Sequence, residues 1–215
     1  TSSKNGVKAS VLSFVPLNDN CEISQLTLTN GSSEDKKLSV FSYVEWCLWN
    51  ADDDMKNFQR NLSTGEVEVQ DSTIYHKTEY RERRNHYAIY SVNTKIDGFD
   101  TSRDAFLGAY RGADSPEAVE NGKCTNSMAS GWSPIASHQI NVDLAAGETK
   151  TFIFVLGYIE NPEDEKWESY GVINKTRAKE MLAKYQTDVQ VDEAFAALQA
   201  YWKQLLARYT VDSAD

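Results

Sequence analysis

"SHQINVDLAAGETKTFIFVLGY", residues 137–158, decides the fold class. Residues 137–144 and 150–158 read as two strands, and "AAGE" at 145–148 reads as a tight turn between them. Strand, tight turn and strand predict an antiparallel hairpin. The same texture extends outward. From residue 7 to about 158, apolar and polar residues alternate with period two. Strands are expected at 7–15, 21–30, 66–70, 73–77 and 86–93, bounded by turn-rich runs such as "PLNDN" and "NGSSEDK". The run "KKLSVFSYVEWCLW" (36–49) places Leu38, Val40, Val44, Trp46 and Leu48 on one face. Phe41, Tyr43, Cys47 and Trp49 fall on the other. Two apolar faces predict a central strand covered on both sides. Residues 98–136, with five Gly and two Pro in "GFDTSRDAFLGAYRGADSPEAVENGKCTNSMASGWSP", read as one long irregular stretch.

The period changes after residue 160. Asn161 reads as an N-cap, with Pro162 and three acidic residues behind it, so a helix is predicted to about Tyr185. A second helix is predicted from about Asp192. Val191, Phe195, Leu198, Trp202, Leu205 and Tyr209 form one apolar stripe along it. The fold class is therefore mainly β: a large antiparallel β-sandwich over residues 1–160, followed by two linker helices over 161–215.

With 215 residues and 40% hydrophobic content, the chain can build one large domain, or one domain with an appendage. Its net charge of −10 opposes binding to nucleic acid or to an anionic membrane. No run reaches the roughly 18 apolar residues of a membrane span, and no leader-like h-region opens the chain. Cys21, Cys47 and Cys124 are odd in number and widely spaced, as reduced thiols of a cytoplasmic protein would be. Neither metal-ligand spacing nor a phosphate-binding glycine loop is present. His76, His86 and His138 stand alone in strand contexts, where hydrogen-bonded strand residues are expected. Arg81, Arg83 and Arg84 interleave with Glu79 and Glu82, as on a wet surface or in ion pairs at a subunit interface. Trp132, in "SGWSP", reads as a plug over the sandwich edge, with a sugar-stacking platform as the alternative.

One loop carries ligand chemistry. In "KNFQRN" (56–61), the amides of Asn57 and Gln59 both donate and accept, which suits sugar hydroxyls. Arg60 can grip an anion in bidentate fashion. A loop held by its own amide hydrogen bonds would look the same.

Five segments then fit one family in order and spacing. They are "EWCLWNADDDMKNFQRNLSTGEVEV", "YHKTEYRERRNHYAIYSV", "GFDTSRDAFLGAYRG", "SGWSPIASHQINVDLAAGE" and "VLGYIENPEDEKW". Together they resemble the amino-terminal part of the cellobiose phosphorylases. These belong to the inverting phosphorylases of β-linked disaccharides, with the cellodextrin and chitobiose enzymes. The resemblance spans residues 7–209 and implies a sandwich of the supersandwich type, a helical linker and a catalytic (α/α)₆ barrel beyond it. It implies a homodimer that cleaves cellobiose or a related β-linked disaccharide with inorganic phosphate as co-substrate and no cofactor. The catalytic Asp of that family lies in the barrel, so no catalytic residue is expected in this chain. The family pattern also implies that the first strands of the sandwich are missing here, leaving open sheet edges. Asn57, Gln59 and Arg60 become the expected substrate-binding residues, reaching toward the partner subunit's pocket. The competing expectation is a stand-alone carbohydrate-binding module, which the striped terminal helix argues against.

Overall fold

Alternating strands need a second layer to cover each apolar face, and the chain supplies two. In the computed structural model, residues 1–46, 66–77, 85–129, 131, 133–209 and 211 are described. The strands are β1 (Ser2–Lys4), β2 (Val7–Phe14), β3 (Cys21–Asn30), β4 (Lys36–Phe41), β5 (Val44–Glu45), β6 (Glu66–Gln70) and β7 (Thr73–Lys77). They continue with β8 (His86–Val92), β9 (Gly98–Ser102), β10 (Pro134–Leu144), β11 (Thr149–Glu160), β12 (Trp167–Ser169) and β13 (Val172–Ile173). The α-helices are α1 (Arg103–Leu107), α2 (Glu117–Glu120), α3 (Thr176–Leu182) and α4 (Asp188–Leu206).

A seven-stranded antiparallel sheet runs β1-β2-β3-β11-β8-β7-β6. At its centre, β11 sends Ile153, Val155 and Ile159 into a core shared with the helices. It sends Phe152, Phe154 and Leu156 into a core shared with the smaller sheet. That smaller sheet is built around β10, with β4 and β5 on one flank and β9 on the other. The layers are thus helices, large sheet, small sheet and an outer cap of α1 and α2. The chain is mainly β, a sandwich of antiparallel sheets with helices packed on it.

The predicted hairpin is not formed. β10 pairs with β4, β5 and β9, whereas β11 pairs with β3 and β8. The turn between them carries the chain from one sheet to the other. Phe152 and Phe154 pack in the same core as Ile140 and Val142, and burying both apolar faces requires stacking the strands, not laying them side by side. Asn30, fully buried, pins the crossing: its Nδ2 donates to Leu144 O (3.1 Å) and Ala145 O (3.0 Å). Gly147 takes φ +75°, and its N–H donates to Asn30 O.

The 36–49 strand also differs from expectation. β4 and β5 hold a single register against β10, with Phe41 opposite Gln139 and Val44 opposite Ala136. They form the flank of the small sheet, and β10 is its centre. The expected faces are right for the described residues. Leu38, Val40, Val44 and Trp46 enter the inter-sheet core, while Phe41 and Tyr43 pack under the cap. There Tyr43 stacks on Phe106 of α1 at 5.2 Å. The stretch 98–136 is therefore not irregular throughout: it holds β9 and the two cap helices.

The helix expected over 162–185 is mostly replaced. Glu163–Glu165 form one 3₁₀ turn, β12 and β13 form a small hairpin, and only Thr176–Leu182 is α-helical. Asn161 is not a cap. Its buried side chain donates to Asn174 O (2.9 Å), holding the hairpin's base. Gly171, at φ +72°, turns the hairpin, a conformation a helix interior does not contain. Gly157 lets α3 seat closely, since a Cβ there would strike Met181 Cε and reach Ile89 at 3.0 Å.

α4 starts four residues before the expected Asp192. Thr187 accepts from the Gln190 N–H, and the Gln190 side chain accepts from the Thr187 N–H, a reciprocal capping box. Along its stripe, Val191 is fully buried and Phe195 meets Phe14 at 5.1 Å. Farther on, Trp202 and Leu205 are 50% and 40% exposed. The stripe is satisfied at its start and bare at its end.

Candidate functional site

Asn57, Gln59 and Arg60 lie outside the described residues, as do Arg81, Arg83, Arg84, Cys47 and Trp132. The structure does show what flanks the 47–65 segment. On the entering side, Glu45 accepts from Tyr43 Oη (2.6 Å) and from Arg103 Nε (3.0 Å). Trp46 lies flat on His76 of β7, with centroids 5.3 Å apart and planes 10° from parallel. On the leaving side, β6 and β7 form a hairpin whose end is tied by charge. Lys77 Nζ contacts Glu66 at 2.8 Å and Glu68 at 3.1 Å, and donates to Gly171 O.

That tie belongs to a larger cluster. Lys175 Nζ meets the other oxygen of Glu68 at 2.7 Å and donates to Ile173 O at 3.0 Å. Glu68 also accepts from the Ile173 N–H at 2.9 Å. Lys77 and Lys166 stand 5.1 and 4.3 Å from the Trp167 ring centroid, within cation–π range. The Lys77 and Lys175 side chains are only 7% and 4% exposed. Such burial is tolerated because carboxylates and carbonyls take up their protons' directions. The cluster fastens β6, β7, the β12–β13 hairpin and the start of α3 together.

The electrostatics match a fixed support. Burial pushes the Glu68 carboxyl up, but Lys175, the Ile173 N–H and Lys77 outweigh it and hold it below the usual range. Burial pulls Lys77 down, yet Glu66 and Glu68 hold it above its ordinary value. Burial pushes the Cys21 and Cys124 thiols up to about 12, which leaves them protonated and poorly nucleophilic. Burial also drives His76 and His138 down to about 3, so both rings are neutral at pH 7. None of these six groups offers a mobile proton or a nucleophile near neutrality. The three histidines lie in strands as expected, and two have a polar neighbour: His86 Nε2 stands 3.5 Å from Glu160 and His138 Nδ1 stands 3.4 Å from Ser42 Oγ. His138 stacks on Tyr90 (4.9 Å) and lies 6.4 Å from Phe154, which also stacks on Tyr90, and its buried Nε2 has no partner among the described residues. Among those residues, no His, Cys, Asp and Glu group is arranged to hold a metal.

An open groove of about 670 Å³ lies where the two sheets part, lined by Val15, Glu22, Val44, Trp46, Leu156 and Tyr158 among others. Its lining includes Val44 of the two-residue strand β5 and Leu156, Gly157 and Tyr158 of β11, which runs on to Glu160. Reading the sequence missed both the lysine cluster and the groove. A lysine inside the strand "TIYHK" was the available signal for the first.

Residues 1–188 match the family described as the glycosyl hydrolase 94 supersandwich domain. The chain is 29% identical to N,N'-diacetylchitobiose phosphorylase of Vibrio proteolyticus over 97% of its length and 24% of that protein. Identity to the enzyme of the same name from Vibrio furnissii is also 29%, over 97% of this chain and 24% of the relative. Solabiose phosphorylase of Paenibacillus borealis is 26% identical over 91% of this chain and 24% of its own. The chain thus spans about a quarter of the length of these relatives. No helix among the described residues is long and apolar enough to cross a membrane.

Proposed function

The chain belongs to the glycosyl hydrolase 94 supersandwich domain family, and from this premise we propose that it is the amino-terminal part of a cytoplasmic, homodimeric disaccharide phosphorylase. The family match over residues 1–188 carries the reading, supported by relatives named as phosphorylases. The substrate is a β-linked disaccharide, cellobiose in the first instance. A phosphate oxygen attacks the anomeric carbon, the glycosidic C–O bond breaks, and a carboxylic acid protonates the departing sugar oxygen. The products are α-glucose 1-phosphate and glucose, with inversion. Phosphate is the nucleophile, so the protein supplies one general acid, placed in a catalytic domain outside residues 1–215, and no cofactor. In this reading the chain supports dimerisation, and Asn57, Gln59 and Arg60 serve the partner subunit's substrate and phosphate pocket. The rigid cluster around Glu68 fixes the strand that follows them.

In the complete enzyme, Arg60→Ala is expected to lower kcat/KM for phosphorolysis at least about tenfold, or about 1.4 kcal/mol of transition-state stabilisation. The thermal midpoint should stay in place. Rates with cellobiose, N,N'-diacetylchitobiose and solabiose, each with phosphate, would rank the sugars. Wild-type kinetics in the Arg60 variant would remove the loop from the site, and preference for another sugar would replace cellobiose.

A further inference from the structure

The ion cluster at the end of the β6–β7 hairpin is built for direction more than for strength. Glu66 and Lys77 face each other as the last pair of the two strands. Terminal pairs fray first. At this one, the segment that carries Asn57, Gln59 and Arg60 rejoins the described strands. Lys77 holds the pair shut. Its Nζ meets Glu66 at 2.8 Å and Glu68 at 3.1 Å, and donates to Gly171 O. The frame behind it is stiff. Glu68 accepts from the Ile173 N–H and pairs with Lys175, and Ile173 is fully buried in the core shared with the helices. Lys77 therefore ties Glu66 to the packed interior.

A buried ion pair seldom gives more stability than apolar side chains of the same volume. Apolar contacts are non-directional, whereas a charge-assisted hydrogen bond fixes an oxygen at a set distance and angle. What the fold gains from an ammonium at 7% exposure is thus position. Glu66 shows this most clearly. Its side chain is 67% exposed, so its pair with Lys77 adds little stability, but it sets where the chain stands at residue 66.

We propose that Lys77 is a positioning residue for phosphorolysis, which through Glu66 holds the 56–61 loop where Arg60 meets phosphate. The inference rests on the reading that Asn57, Gln59 and Arg60 serve the substrate and phosphate pocket. Lys77 touches neither sugar nor phosphate in this scheme. A guanidinium grips an anion in a fixed fork, and a misplacement of about 1 Å can cost as much as about 100-fold in rate. Lys77→Met keeps most of the stem and removes the charge. Glu66 then stands in solvent, and Glu68 keeps Lys175 and the Ile173 N–H, so no buried charge is stranded.

Steady-state phosphorolysis by the complete enzyme, arranged as a double-mutant cycle, tests this. Lys77→Met should raise the KM for phosphate and lower kcat/KM about five- to tenfold. Its thermal midpoint should stay within about 3 °C of wild type. In an Arg60→Ala background the same substitution should change kcat/KM less than about twofold, because the grip it steadies is already gone. Glu66→Gln, at an exposed position that leaves the fold intact, should repeat the pattern. A lysine that only stabilises would lower the thermal midpoint and act equally in both backgrounds. Equal fold-changes in the two backgrounds, or wild-type kinetics in both Lys77→Met and Glu66→Gln, would overturn the proposal. Wild-type kinetics in Arg60→Ala alone would remove the reading of the loop, and this inference with it. An impaired Arg60→Ala beside an additive Lys77→Met defeats only this inference.

Discussion

Between pH 6.5 and about 3 the folded chain is expected to lose stability steeply, at about 1.4 kcal/mol per pH unit for each of two histidines once the unfolded chain is fully protonated. His76 and His138 are buried without charge partners, and burial holds both near 3. Unfolded, each returns to about 6.5. In the window between those values the unfolded state binds two protons that the folded state refuses. The stability they contribute is therefore complete above about pH 6.5 and is lost as pH falls toward 3. Domains of this size hold about 5–15 kcal/mol, so unfolding should set in well above the pH at which most carboxylates protonate. Denaturant midpoints at pH 7, 6, 5 and 4.5 would show the slope. His138→Gln should remove about half of it, whatever the variant's absolute stability. An unchanged slope in His76→Gln/His138→Gln would sink the assignment.

The second large effect concerns Glu68. Glu68→Ala takes from Lys175 and Lys77 the carboxylate they share, while both ammonium groups stay in place at 4% and 7% exposure. Leaving buried charge short of its partner costs about 3–5 kcal/mol. Replacing the whole set, Glu68→Leu with Lys77→Met and Lys175→Met, should cost far less, because the desolvation of three charges disappears with their attraction. Urea unfolding of both variants at pH 7 decides it. A loss under 1 kcal/mol in Glu68→Ala would show that Glu66 and Glu168 suffice for the two lysines.

The strands were legible because half-buried sheets leave a period-two imprint: β3 and β6 fall on the expected residues, and β7, buried throughout, falls on them because turn residues bound it. Pairing was not legible. "AAGE" between two apolar strands looks the same whether the chain returns within a sheet or crosses to another. The deciding fact, that β11 seats between β3 and β8, lies far away in sequence. The Asn161-Pro162 start signal was real, but the fold used it for one 3₁₀ turn before Gly171 redirected the chain. Lys77, in the otherwise uncharged-at-neutrality strand "TIYHK", hints at a buried cation, but only the folded chain brings it and Lys175 to one carboxylate. Of the candidate site, the loop was legible as chemistry alone: amides, an aromatic and an arginine in succession. What holds its flanks, the Glu68 cluster and the Trp46–His76 stack, depends on contacts no local pattern records.

The crossing turn pinned by Asn30 also sets an order of events during synthesis. β11 is the strand that joins the two halves of the large sheet, and both its neighbours leave the ribosome long before it does. At about 5–20 residues per second, β3 waits several seconds or more for its partner. Through that interval β1-β2-β3 and β6-β7-β8 lack the strand that joins them in the finished sheet. The nascent chain is most vulnerable to mispairing just before residue 149 emerges, and a chain interrupted ahead of that point has no means of sealing its sheet.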